Sequence, residues 1–418
     1  MNSQLKPLLI ALSSLALLAC NDESQVEPTA QTQAVTLNIQ PIGTSLDSQT
    51  IDPIITSQDY VSFITPLSGQ YQAPKIQTQQ QQNSDQYWFT VTGKALNQGI
   101  QLPISQTNAS VRISPKQNKQ QSLTTTSIDS QQISFMPVNA PASNKTSQYM
   151  ENILNADKLA TAGIFAHSSG FTLRNSAPIG LYQMLVKQTL PENAQYIINV
   201  KEKNSPKQLS LTAPLATSQT DNLTLSLTLA NQALRHSPTA MLFDNHGNSY
   251  PLSVTKQDQQ WQLTLANGAE LPTSQHLMAL EINTNEIIAG QLIKRSIRTA
   301  IKRYSHSANI DQQLQVDWQQ QLPQQLSFNL DIASASRFDV SAVITGADQQ
   351  GQEVSIMRTQ AAQWFETGKQ TLTLPIDQAL ISQMQLTAPF RVRELTLTDQ
   401  GQLARLSYQA YASELRLH

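Results

Sequence analysis

Apolar and polar residues alternate one for one over long stretches of this chain of 418 residues. Leu223, Leu225, Leu227 and Leu229 are separated by Thr224, Ser226 and Thr228. Leu326, Phe328, Leu330 and Ile332 are separated by Ser327, Asn329 and Asp331, and Phe338, Val340, Ala342 and Ile344 follow after a short break. Trp261, Leu263 and Leu265 repeat the pattern, as do Leu372 with Leu374 and Leu395 with Leu397. Residues two apart share one face of a strand but scatter around a helix, so this period predicts half-buried strands and a mainly β protein.

Turn residues punctuate the strands. Asn245-His246-Gly247-Asn248, Asn267-Gly268 and Ala347-Asp348-Gln349-Gln350-Gly351 offer the Asn and Gly that tolerate positive φ in tight hairpins. Hairpin-joined strands with one apolar face predict antiparallel sheets packed as sandwiches. One segment, residues 147–162, carries Met150, Ile153 and Leu154 at helical spacing behind a capping Thr146 or Ser147, and is expected to be a helix.

Two breaks divide the chain, Asn204-Ser205-Pro206 and Tyr304-Ser305-His306-Ser307-Ala308. They imply a β-rich N-terminal domain with one helix over 51–205 and two immunoglobulin-like antiparallel β-sandwich domains over 206–305 and 306–418. Residues 20–50, polar and with weak alternation only around Val35-Thr36-Leu37-Asn38-Ile39, read as a tether, and Gln77–Gln82 as a solvated loop. Trp261 and Trp364 are the expected aromatic fillers of the two sandwich cores.

Composition narrows the function classes. Basic and acidic residues number 27 and 29, so no global charge calls for nucleic acid. Charged residues make up only 13% of the chain. The single cysteine, Cys20, ends Leu17-Leu18-Ala19-Cys20 behind Lys6 and the apolar run Pro7 to Ala19. This is the pattern of a lipoprotein signal peptide over 1–19, with Cys20 as the lipid acceptor and the membrane as a partner through that lipid. The apolar run is shorter than the roughly 20 residues that span a bilayer. In the lipoproteins that this segment resembles, aspartate directly after the cysteine favours inner-membrane retention; Asn21 stands there, so the outer membrane is expected. With Cys20 lipidated no disulfide can form and no thiol remains for a metal.

Trp364-Phe365-Glu366-Thr367-Gly368, Leu372-Thr373-Leu374 and the run from Ala388-Pro389-Phe390 to Asp399-Gln400 resemble the C-terminal immunoglobulin-like module of a bacterial family catalogued as domain of unknown function 4785. The middle segment is similar to its companion module, ending in a strand like Gly290 to Ala300. The resemblance rests on strand and turn residues; it implies a fold and transfers no functional residue and no cofactor.

Chemistry-bearing motifs are sparse. No Gly-x-Ser-x-Gly and no His-Glu-x-x-His occurs. His167-Ser168-Ser169-Gly170 sets a serine beside a histidine without an acidic partner and reads as a loop. Asp244-Asn245-His246-Gly247-Asn248 has oxygen donors, but a calcium loop carries more carboxylates and a distal Glu, so a hairpin turn is expected. Glu202, between Lys201 and Lys203, reads as a solvated charge. Lys294, Arg295, Arg298, Lys302 and Arg303 place five cations within ten residues, either an anion-binding patch or a solvated strand; Ile293, Ile297 and Ile301 there also fit a helical period.

The expected protein is a membrane-anchored envelope lipoprotein that binds or scaffolds envelope proteins or polysaccharide, without catalysis and without a cofactor. The rival is an envelope hydrolase, or a hydrolase accessory, with a site around Tyr149 to Tyr182. A perturbed carboxylate or histidine in a deep pocket there would favour the hydrolase, and loop-built surfaces the binder.

Overall fold

The first described strand belongs to the last domain. Gln31–Thr36 pairs antiparallel with Ala308–Gln319, and Val61–Pro66 pairs antiparallel with Glu353–Phe365. Part of the segment read as a tether is therefore a strand of the C-terminal sandwich. The structure is a computed structural model describing residues 30–39, 46, 57–116, 127–141, 145–156, 167–219, 221–266 and 276–417. Cys20 and the signal segment lie outside the described residues.

The C-terminal unit has two facing sheets. One runs Gln31–Thr36, Ala308–Gln319, Leu322–Ile332, Gly368–Pro375; the other runs Val61–Pro66, Glu353–Phe365, Ser336–Ala347, Thr387–Asp399, Ala404–Leu415. The alternating apolar faces of both meet in one core in which Trp318, Phe328, Phe338 and Phe390 are fully buried. Each such side chain contributes about 1.5–3 kcal/mol relative to exposure. Trp318 fills the core that Trp364 was expected to fill. Trp364 instead lies half-buried, its indole N–H donating to Glu366 Oε1 at 2.9 Å.

The middle unit is one curled sheet. Its order is Ala216–Ser218, Gln291–Tyr304, Met278–Ile288, Thr239–Phe243, Ser249–Gln257, Gln260–Leu265, Leu223–Leu229, Leu209–Pro214, Gln79–Ser84. Leu223–Leu229 changes partner midway. Leu223 to Leu225 pair with Leu263 to Trp261, while Ser226 to Leu229 pair with Thr212 to Leu209. The curl brings Gln79–Ser84 against Gln291–Tyr304. Glutamines close it: Gln80 Nε2 donates to Ala300 O at 2.5 Å and Gln82 Nε2 to Thr299 Oγ1 at 3.0 Å. Thr299 Oγ1 in turn donates to Gln80 Oε1 at 2.8 Å. The Gln77–Gln82 patch, expected as a loop, thus supplies a strand whose amides satisfy a seam with little apolar burial of its own. Inside the curl, the leucines at 223, 225, 227 and 229 pack with Trp261.

The N-terminal unit packs a five-stranded sheet (Gln86–Thr92, Gln195–Lys201, Ser110–Pro115, Ser169–Leu173, Met150–Leu154, in that order) on a three-stranded one (Ile100–Ile104, Gly180–Val186, Ile133–Pro137). A short helix, Gly93–Gln98, is capped by the Thr92 hydroxyl, which accepts from Ala95 N. Gly93 is required where it stands, because a Cβ would lie 2.2 Å from Pro191 O.

The helix expected over 147–162 does not form across its described part. Thr146–Gln148 is a single 3-10 turn and Met150–Leu154 is a strand paired with Ser169–Leu173. Asn152 at φ 49° and a register shift between Glu151 and Leu154 give this strand an irregular period, so Met150 is buried while Ile153 and Leu154 are 41% and 39% exposed. That irregular strand is what imitated helical spacing. Residues 157–166 lie outside the described residues.

Candidate functional site

The five cations of the basic stretch lie on one strand, Gln291–Tyr304, and do not share a surface. Arg295, Lys302 and Arg303 are buried, Lys294 is half-buried, and Arg298 is exposed. The isoleucines at 293, 297 and 301 alternate inward on a strand; the helical period is not used. Strand geometry separates the charges that their closeness in sequence had grouped.

Each cation has its own setting. Arg295 Nη2 meets Glu202 Oε2 at 2.7 Å, with both side chains in full burial. Glu202 also accepts from Ser105 N and Ser105 Oγ, both at 2.5 Å, and Arg295 Nε donates to Lys207 O at 2.8 Å. Glu202 is therefore a buried clasp between the N-terminal and middle units and not the solvated charge its flanking lysines suggest. Nothing in its local sequence signals this.

Arg303 donates to Gln219 O at 2.9 Å and to Asp221 O at 3.4 Å, and burial pushes its guanidinium down to about 10. Burial pushes Lys302 down to about 8, against an opposing pull from Asp399. Asp399, itself buried, accepts from Ser307 Oγ and Ser336 Oγ, each at 2.5 Å. Lys294 lies over the Phe89 ring at 5.6 Å and Arg298 over Phe243 at 5.0 Å. The strand thus reaches the N-terminal unit through Arg295 and approaches the C-terminal unit through Lys302.

The other sequence motifs serve structure. Asp244 accepts from His246 N, Asn248 N, Asn248 Nδ2 and Tyr250 OH, so its carboxylate is spent inside the hairpin turn. His167 sits in a turn at φ 64°, Ser168 Oγ pairs with Ser114 Oγ at 2.8 Å, and Ser169 Oγ donates to Ile128 O. Among the described residues no group of three His, Cys, Asp or Glu is placed to hold a metal, and no helix is long and apolar enough to cross a membrane.

A groove of about 560 Å³ opens at the loop end of the N-terminal unit, between residues 137–141 and 178–182. Val138, Ile179 and Leu181 stand at its rim, 43%, 44% and 37% exposed. Tyr149 and Tyr182 form its wall, in edge-to-face contact at 6.3 Å, and Tyr182 stacks on Phe135 at 4.6 Å. Tyr182 OH donates to Pro178 O at 2.6 Å, and burial, with Tyr149 beside it, pushes its phenol up to about 12. Among the described residues no carboxylate, ammonium, guanidinium or imidazole belongs to the lining. Such a surface offers apolar contact and backbone hydrogen bonds. It was legible only as the Tyr149 to Tyr182 region, since prolines and isolated apolar loop residues carry no period.

Fold and site together define a three-unit, nearly all-β protein with a loop-built apolar groove on its N-terminal unit. Residues 54–202 match the N-terminal domain, and residues 307–417 the C-terminal domain, of the family described as domain of unknown function (DUF4785). The chain belongs to that family. A crystal structure of a DUF4785 family protein from Legionella pneumophila is similar to it, with 19% identity and a TM-score of 0.65 over 91% of this chain and 99% of that one. At that identity the likeness concerns the fold. No curated protein matches the chain.

Proposed function

We propose that this protein is a lipid-anchored, non-catalytic binding protein of the bacterial cell envelope, held at the outer membrane by Cys20 and presenting the N-terminal groove to an apolar segment of another envelope protein. The observation that carries the reading is the groove's lining, which combines exposed Val138, Ile179 and Leu181 with no titratable group except two tyrosines. General acid–base or nucleophilic chemistry needs a poised His, carboxylate, Lys or Cys within hydrogen-bond reach of substrate. The described lining of the groove offers none of these.

Chain geometry supports the orientation. Ten residues separate Cys20 from Gln31, and at about 3.3–3.6 Å per residue they reach about 40 Å at most. A lipid on Cys20 would keep the C-terminal sandwich close to the membrane. The test is in-cell photocrosslinking from a benzoylphenylalanine at Ile179 and, as control, at Thr65 on the outer strand of the C-terminal sandwich. The expected result is a discrete crosslinked protein band from position 179 only, lost when Val138→Glu and Leu181→Glu are added. Equal labelling from both positions, or a band insensitive to the two glutamates, would overturn the groove as the binding surface.

A further inference from the structure

A second cavity, of about 540 Å³, lies in the C-terminal sandwich and differs in chemistry from the N-terminal groove. It exists because Ala308–Gln319 breaks register with its neighbour. Ile310 faces Leu330 and Leu314 faces Phe328, so Asp311, Gln312 and Gln313 stand against Asn329 alone. Irregularities of this kind re-aim side chains and interrupt pairing. The preceding chain pins the bulge, Leu37 N donating to Gln312 O at 2.7 Å. Half-buried Ile39 and Ile310 line it as aliphatic surface, over the buried Leu330.

Its polar lining is mixed. Asp311 and Asp331 are acceptors only and Lys369 is a donor only, while Asn329 offers both. None of the three charged side chains has a hydrogen bond or ion pair among the described residues. On the other sheet, by contrast, Arg393 is paired with Glu353, Arg391 with Glu414 and Arg358 with Glu394. Hydroxyl groups, which both donate and accept, match acceptors and donors brought together around an aliphatic floor. The volume falls within the roughly 300–1,000 Å³ of small-ligand sites. Two carboxylates against one ammonium disfavour an anionic ligand.

We infer that this cleft binds one or two rings of a neutral or amino-bearing oligosaccharide, whose hydroxyls engage Asp311, Asp331, Asn329 and Lys369 and whose C–H face rests on Ile39 and Ile310. Among the described residues no aromatic ring lines the cleft, so the sugar ring meets aliphatic carbon only. The inference stands independently of the N-terminal groove.

Saturation-transfer NMR on the mature chain tests it with three probes: diacetylchitobiose, the glucosamine disaccharide, and a glucuronate-containing disaccharide. The neutral and amino probes are expected to show transfer that falls at least threefold in Asp331→Ala and in Asn329→Ala, with circular dichroism unchanged. The anionic probe is expected to show none with the wild type and to gain transfer in the Asp311→Lys, Asp331→Lys double variant. Absence of transfer from all three probes, transfer unchanged by both alanine variants, or preference of the wild type for the anionic probe would each contradict the assignment.

Discussion

Glu202 and Arg295 form an ion pair at 2.7 Å with their side chains 0% and 1% exposed, joining the end of the N-terminal unit to the longest strand of the middle unit. Ser105 and Ser205 add hydroxyl contacts around it. Removing one partner of such a pair leaves an uncompensated buried charge, which costs about 3–5 kcal/mol. Arg295→Met and Glu202→Leu should each lower the urea midpoint by that equivalent, and the double variant by less than the sum of the two. Single losses under about 1 kcal/mol would mean that the clasp does not couple the units.

Lys302 gives a pH signature of the opposite sign from that of the buried tyrosines. Its folded value of about 8 lies below its ordinary 10.5, so the folded state carries the cost of a buried charge in full below pH 8. As the pH rises from 8 towards 10.5, the unfolded chain retains a proton that the folded chain has lost, and the cost disappears. Lys302→Met should therefore stabilise the protein by on the order of 1–3 kcal/mol at pH 7, and the advantage should shrink by pH 10. Tyr71 and Tyr182, each raised to about 12, lose their contribution only as the pH climbs beyond 10, and they do so equally in both proteins. Thermal melts of the pair between pH 7 and 10 read the difference. A constant gap would contradict a buried, titrating Lys302.

Residues 57–71, a strap that carries the strand Val61–Pro66 along the edge of the C-terminal sandwich, are fastened at their far end by an aromatic–cation stack. The Arg393 guanidinium lies 5.2 Å from the Tyr71 ring and 4.6 Å from the Tyr411 ring while its two nitrogens grip Glu353 at 2.8 and 2.7 Å. Arg337 holds the start of the strap by donating to Ser57 O and Asp59 O. Tyr71→Ala should cost about 1–2 kcal/mol locally and raise amide exchange over residues 61–66 about tenfold, with residues 336–347 unaffected. Uniform acceleration through the sandwich would indicate that the strap is part of its core.

The strands with strict alternation were legible because one face is buried. Leu223–Leu229 and Leu322–Ile332 carry their leucines and phenylalanine inward as their period demands. Gln31–Thr36 and Gln79–Ser84 were not, because they are edge strands held by backbone pairing and amide contacts, with almost no apolar face to leave a pattern. The pairing of Gln31–Thr36 into the last sandwich was hidden as well, since long-range pairing leaves no local trace. In the basic stretch, residue types showed charge but not direction, and direction decided that Arg295 and Arg303 face inward.

The proposed anchoring at Cys20 is tested most directly by labelling with radioactive palmitate, with membrane fractionation, of the wild type and Cys20→Ser. Labelled wild type in the outer-membrane fraction and an unlabelled variant released from the pellet are expected. Label retained on Cys20→Ser, or wild type free of both label and membrane, would contradict the anchoring.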